Sequence, residues 1–134
     1  MSELIVQARR EELDQVLAFV EETLDSFNCS EDVKIGIDIA VEEIFVNIAS
    51  YAYEAGEGTA TICVSIEEPL QVQIIFIDQG KQYNPLERKD PDISQKLEDR
   101  QIGGLGIYMV KEIMDETKYE YKEGSNILTI KKKI

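Results

Sequence analysis

The sequence predicts an α+β fold: a two-layer α/β sandwich whose mixed, mostly antiparallel sheet carries its helices on one face. Three observations predict it. The elements run β-α-α-β-β-loop-α-β-β, an order that a doubly wound βαβ sheet does not fit. Two long stretches repeat apolar residues at helical spacing, so each has one face to bury. Two pairs of short strand-like segments follow one another across turn residues, as in hairpins. At 134 residues the chain is long enough for one domain with a real core, assigned to 1–134.

The first strand is "ELIVQA", Glu3–Ala8. "REELDQVLAFVEETLDSF" then places Leu13, Val16, Leu17, Val20 and Leu24 on one helical face. Ser30 is a candidate N-cap for a long helix from Glu31 to Tyr53, whose first turn carries acids suited to its dipole. On that helix Val33, Ile37, Val41, Ile44, Ile48 and Tyr51 form an apolar stripe. Glu43 and Asn47 fall together at the stripe's edge, with Gly36 and Ala40, while Glu42 points to solvent.

After "EAGEG", strands "TATICVSIEE" and "LQVQIIFID" are joined by a turn at Pro69. Val72, Ile74 and Phe76 alternate with Gln71, Gln73 and Ile75, giving one dependable core face. From Gln79 to Gly103 the pattern stops, and a loop of that length in a compact domain is functional or disordered. The helix of "IGGLGIYMVKEIMDE" follows. A last hairpin, "KYEYKEG" with "NILTIKKK", turns at Gly124–Ser125.

Composition narrows the chemistry. Apolar residues make up 43% and charged residues 31% of the chain, an ordinary globular mixture. No apolar run approaches a membrane span and the N-terminus lacks a signal peptide's pattern, so a cytoplasmic protein is expected. There is no histidine, which removes His-based triads, HExxH zinc sites and phosphoacceptor histidines. Cys29 and Cys63 form no CxxC pair and read as small buried hydrophobes in a reducing compartment. With 14 Lys+Arg against 27 Asp+Glu, the net charge of −13 repels phosphate backbones and argues against direct nucleic-acid binding. It serves solubility or attracts a basic protein partner.

Three places carry candidate chemistry, each with a plainer reading beside it. Gly103, Gly104 and Gly106 precede a helix. A dinucleotide fingerprint would need glycine where Met109 stands, and a Walker loop would need Gly-Lys-Ser/Thr. What remains is a tight turn, or bare amides at a helix start that admit an anion. Glu43 and Asn47 are a polar helix border, or a base and a Mg²⁺ oxygen ligand facing a cavity. Asp78 ends an apolar strand just before Gly80. It caps a turn, or accepts from the exocyclic amine of a bound base.

Together and in order, Glu43-x-x-x-Asn47, Asp78-x-Gly80 and Gly104-x-Gly106 resemble the N, G1 and G2 boxes of the GHKL ATPases. The resemblance is closer to the anti-sigma regulatory factor branch, small serine-protein kinases. "AVEEIFVNIASYAY" is similar to its "AVEEAxxNAxxHAY", "DQGKQYNP" to "DxGxPFDP", "GGLGIYMVKEIMDE" to "GGLGLxLxxxLMDE", and "YKEGSNILTIKKKI" to "GxNxLTLxKRL". Tyr51 stands where that branch commonly has histidine, and Gln82 where it has Gly or Pro. Tyr83 and Asn84 replace Phe and Asp.

The resemblance implies a Bergerat-type ATP-binding fold with ATP and Mg²⁺. By it Asn47 ligates Mg²⁺, Glu43 is the catalytic base, Asp78 binds adenine's amine and Gly80 gives the base room. Gly104, Leu105 and Gly106 belong to the phosphate-binding turn, and the stretch 81–103 is an ATP lid. Arg88, Lys89, Lys96 and Arg100 are its basic candidates for the γ-phosphate, with Arg100 taken as the binding residue. It also implies a homodimer that binds a sigma factor and phosphorylates a serine of an anti-anti-sigma antagonist. The alternative is a nucleotide-binding module that sequesters its partner with little or no kinase activity. A histidine-kinase catalytic domain is a weaker fit, because it would need its phosphoacceptor on another chain.

Overall fold

The computed structural model describes residues 1–53, 57–67, 70–87 and 104–134. Strand β1 (Ser2–Gln7) leads through a 3-10 turn, Arg10–Glu12, into helix α1 (Leu13–Ser26). Helix α2 (Glu31–Tyr51), strands β2 (Thr59–Glu67) and β3 (Gln71–Asp78) and a 3-10 turn at Pro85–Glu87 follow. Helix α3 (Gly104–Ile113) and strands β4 (Glu116–Lys122) and β5 (Ser125–Lys133) complete the described elements.

Local chemistry sets the helix ends. The Ser30 side chain accepts from the Val33 amide at 3.3 Å, capping α2, and Glu31 and Asp32 follow in its first turn. At the end of α1, Asn28 adopts a φ of 54°, a left-handed state that asparagine tolerates. The Cys29 amide there reaches back to the Leu24 carbonyl at 3.3 Å. Helix α2 stops at Tyr51, short of the expected Tyr53, because the chain turns away after Ala52. Tyr53 instead donates its hydroxyl to the Thr59 carbonyl and accepts from the Gln79 amide, tying the end of α2 to β2 and β3.

The five strands are ordered β1-β2-β3-β5-β4, and every neighbouring pair is antiparallel. The sheet is therefore not mixed among the described strands. Cross-strand rows Ile62–Phe76–Leu128 and Val64–Ile74–Ile130 are all buried. Against them lie Val16, Val20 and Leu24 of α1, Ile37, Val41, Ile44 and Phe45 of α2, and Val110 of α3. The stripe of α2 thus forms as its spacing implies, except that Tyr51 at its end is 62% exposed.

Two expectations shift. The last hairpin turns at Glu123–Gly124, one residue earlier than read, since Lys122 pairs with Ser125. Both turn residues have positive φ, 52° and 79°, the geometry a two-residue hairpin needs to match strand twist. The stretch after β3 is also not patternless throughout. Pro85–Glu87 makes a 3-10 turn and Leu86 packs on the core. The rest of the expected lid, 88–103, lies outside the described residues.

Candidate functional site

Alternation along β3 decides where the site begins. Val72, Ile74, Phe76 and Asp78 are its buried positions, so Asp78 is the fourth residue pointing from the sheet toward the helices. A carboxylate at a core-facing register, 5% exposed, must be hydrogen-bonded to sit there. Its Oδ1 accepts from the Gly80 amide at 2.9 Å and from Asn126 Nδ2 at 3.0 Å. The first bond folds the turn after β3; the second crosses to β5, where Asn126 pairs directly opposite Asp78.

Beyond Asp78 opens a cleft of about 570 Å³, a size that holds a small organic ligand. Ile44, Ile48, Phe76 and Leu128 give it an apolar floor. Its polar wall brings together Asn47, Ser50 and Tyr51 from α2, Asp78 from β3, and Asn126 and Tyr119 from the last hairpin. Lys81 and Tyr83 border it from the turn after β3, and Ile107 from the first turns of α3. Asn126, with Ser50 and Tyr119, is a polar wall residue to which the sequence motifs assign no role. The signal was available: Asn126, Leu128 and Ile130 are the buried positions of β5, and an amide leads that apolar face.

Helices α2 and α3 meet along the edge predicted to carry Glu43. A side chain on Gly36 would stand 3.1 Å from Ile113 Cγ2, and one on Gly106 would collide with the Glu43 carboxylate. Seven residues separate the contact points on each helix, in opposite senses (36 to 43, 113 to 106), so the two run antiparallel. Asn47, one turn further along α2, therefore lies beyond the glycine-bearing start of α3. That start lies at Gly104, and the first amides of a helix have no partner within it. Glu43 itself does not line the cleft but sits behind Gly106. Burial, then the neighbouring Glu42 charge, pushes its carboxyl above the usual carboxylate range.

Gly80 is also held bare by the fold itself. A Cβ there would strike the Ala52 carbonyl, the acceptor for the Lys81 amide at 2.9 Å. The turn after β3 thereby satisfies a carbonyl left open at the end of α2. Arg100, like Arg88, Lys89 and Lys96, lies outside the described residues. Among the described residues no three Cys, Asp or Glu side chains gather as a metal site. A divalent cation would have to be held by Asn47 and by oxygens of its own ligand. That donor set suits Mg²⁺, which commonly takes one or two protein groups and completes its shell with phosphates and waters.

A family model described as the histidine kinase-like ATPase domain matches residues 6–132. The chain belongs to the histidine kinase-like ATPase family. Its relatives place it in the anti-sigma serine-kinase branch that its three boxes resemble. It is 32% identical over 105 residues to the serine-protein kinase RsbW of Bacillus cereus, covering 75% of this chain and 62% of that one. To RsbW of Listeria monocytogenes it is 31% identical over 112 residues, covering 79% and 68%. To the serine/threonine-protein kinase BtrW of Bordetella bronchiseptica it is 26% identical over 101 residues, covering 75% and 71%. The chain thus spans about two thirds of these relatives' length. A crystal structure of the RsbU and RsbW domains of a Mycobacterium tuberculosis protein superposes with a TM-score of 0.66 at 15% identity, over 99% of this chain and 32% of that one. The histidine kinase domain of an Erythrobacter litoralis blue-light activated kinase gives 0.60 at 14%, over 90% and 60%. These two likenesses concern the fold. No helix among the described residues is long and apolar enough to cross a membrane.

Proposed function

We propose that the cleft binds Mg²⁺-ATP and that the protein phosphorylates a serine on a partner protein, an antagonist of the anti-anti-sigma type. The same protein, as a homodimer in the cytoplasm, would hold a sigma factor inactive. One observation carries the reading: an apolar cleft brings the buried Asp78 together with Asn47 and is bordered at Ile107 by the first turns of α3. A flat base fits the apolar floor and gives its exocyclic amine to Asp78. The phosphates then reach the α3 amides of Gly104, Leu105 and Gly106, where the two glycines keep the backbone approachable. The stretch 81–103 would close over them, with Arg100 its proposed contact to the γ-phosphate.

Asn47 would hold the Mg²⁺, which neutralises charge building on the phosphates. Glu43, its proton affinity raised by burial, would take the proton from the partner's serine hydroxyl. That oxygen bonds to the γ-phosphorus as the bond from phosphorus to the β–γ bridging oxygen breaks, and ADP leaves. Calorimetric titration with ATP, with and without Mg²⁺, tests the reading, using Asp78→Asn as control. Mg²⁺-dependent binding that the variant loses is the expected result. A folded wild-type protein that takes up no nucleotide would refute it.

A second reading has its own support. Glu43 lies behind Gly106 and not on the open cleft wall, as suits a module that binds nucleotide and sequesters a partner with little chemistry. Glu43→Ala separates the two. It abolishes function if phosphoryl transfer matters and spares it if sequestration is enough.

A further inference from the structure

Asn126 is 7% exposed and spends both ends of its amide. Nδ2 donates to Asp78 Oδ1 at 3.0 Å and to the Lys81 carbonyl at 2.9 Å, with the Gly80 carbonyl at 3.5 Å. Oδ1 accepts from the Tyr83 amide at 3.1 Å and from the Tyr119 hydroxyl. Chemistry fixes this orientation. Turned over, the amide would set its oxygen against a carboxylate and two carbonyls, and its NH₂ against the Tyr83 N–H.

The consequence falls on Asp78. Its Oδ1 is occupied by Gly80 and Asn126, which leaves Oδ2 as the oxygen for a ligand in the cleft. The carboxylate therefore offers the cleft one acceptor, not two. A six-amino purine presents a single exocyclic amine at that edge, flanked by an unprotonated ring nitrogen, and one acceptor matches it. Guanine presents a ring N–H beside its amine, a pair of donors that a carboxylate with both oxygens free accepts together.

Resting on the nucleotide reading above, we propose that Asn126 is a positioning residue that sets base selectivity. With the Gly80 amide on one lone pair of Asp78 Oδ1, Asn126 takes the other, which keeps the carboxylate single-handed and so selects adenine over guanine. Tyr119 holds the Asn126 amide in the working orientation. The same side chain pins the backbone of Lys81 and Tyr83, so selectivity and the root of the expected lid share one anchor.

The test is calorimetric affinity for Mg²⁺-ADP and Mg²⁺-GDP in the wild type, Asn126→Ala and Tyr119→Phe, with thermal melts alongside. The wild type is expected to favour ADP. Asn126→Ala should narrow the ADP-to-GDP ratio by about tenfold or more, because GDP gains as ADP loses. Tyr119→Phe, which removes one hydroxyl, should narrow it by about threefold. A merely structural Asn126 would weaken both nucleotides equally, and an unchanged ratio overturns the proposal. If Asn126→Ala does not fold, the Tyr119→Phe ratio decides alone. A folded wild type that binds neither nucleotide sinks the nucleotide reading and the proposal with it. Adenine preference that survives intact in the variants sinks only the role given to Asn126.

Discussion

The carboxylate of Glu43 fills the space that a side chain on Gly106 would need. One residue was read from sequence as a base and the other as a phosphate-loop glycine; packing of α2 on α3 makes them neighbours. The contact atoms on Glu43, from its carboxylate back to Cγ, all lie beyond Cβ on a flexible chain, so it can swing aside. Gly106→Ala should therefore cost little stability, since alanine is the better helix former by about 1 kcal/mol. The displaced carboxylate should nonetheless slow phosphoryl transfer by roughly a hundredfold, as a small misplacement of a reacting group does. Paired melts and transfer rates check this; a collapsed melting temperature or an unimpaired rate would contradict it.

Glu43 also makes a pH prediction. Burial, with Glu42 adding to it, raises its carboxyl. A base works only when deprotonated, so transfer should fall as pH drops through a midpoint above the ordinary carboxylate value of about 4.3. The rate–pH profile of the wild type measures that midpoint. Glu42→Gln removes the like charge and should move it down. A profile that ignores Glu42, or that lacks the acid limb, argues against Glu43 as the base.

Gly80 behaves differently from Gly106, because what a Cβ would meet there is backbone. The Ala52 carbonyl cannot rotate away without giving up the Lys81 amide. Gly80→Ala is expected to destabilise the fold by about 1–3 kcal/mol, the range for backbone strain joined to a disturbed hydrogen bond. Chemical denaturation measures it. An unaffected midpoint would show that the turn has slack.

Local signals were legible in the sequence, and long-range pairings were not. The alternation of Val72, Ile74 and Phe76 gave the core face of β3, and extending it two residues places Asp78 on that face. The edge of α2 that holds Gly36, Ala40, Glu43 and Asn47 followed from 100° steps alone. The Asp78–Asn126 pair was out of reach, because it needs β5 to lie beside β3 and the chain order does not say so. Gly80's constraint was hidden for the same reason: its neighbour is the end of α2, not its own strand. The hairpin turn moved by one residue because Glu123, with no glycine's freedom, still takes positive φ. Pairing register outweighed that local preference.

A last prediction concerns a pair far from the cleft. Asp38 on α2 is raised to about 7, by burial first and then by its hydrogen bond with Glu21 of α1. Among the described residues no hydrogen-bond partner reaches its buried Oδ1. The Glu21 and Asp25 charges raise it, and only Lys34 opposes them. The folded protein thus keeps a proton that the unfolded chain releases near pH 4. Stability from this group is whole below that pH and is lost progressively as pH rises to about 7, then levels. Asp38→Asn keeps a donor for Glu21 and removes the titration. It should gain about 1 kcal/mol at pH 8, a figure reduced for the site's partial exposure, with the gain shrinking toward pH 5. Melts of both proteins across that range decide it. Parallel curves would mean that Asp38 and Glu21 share no proton in the folded state.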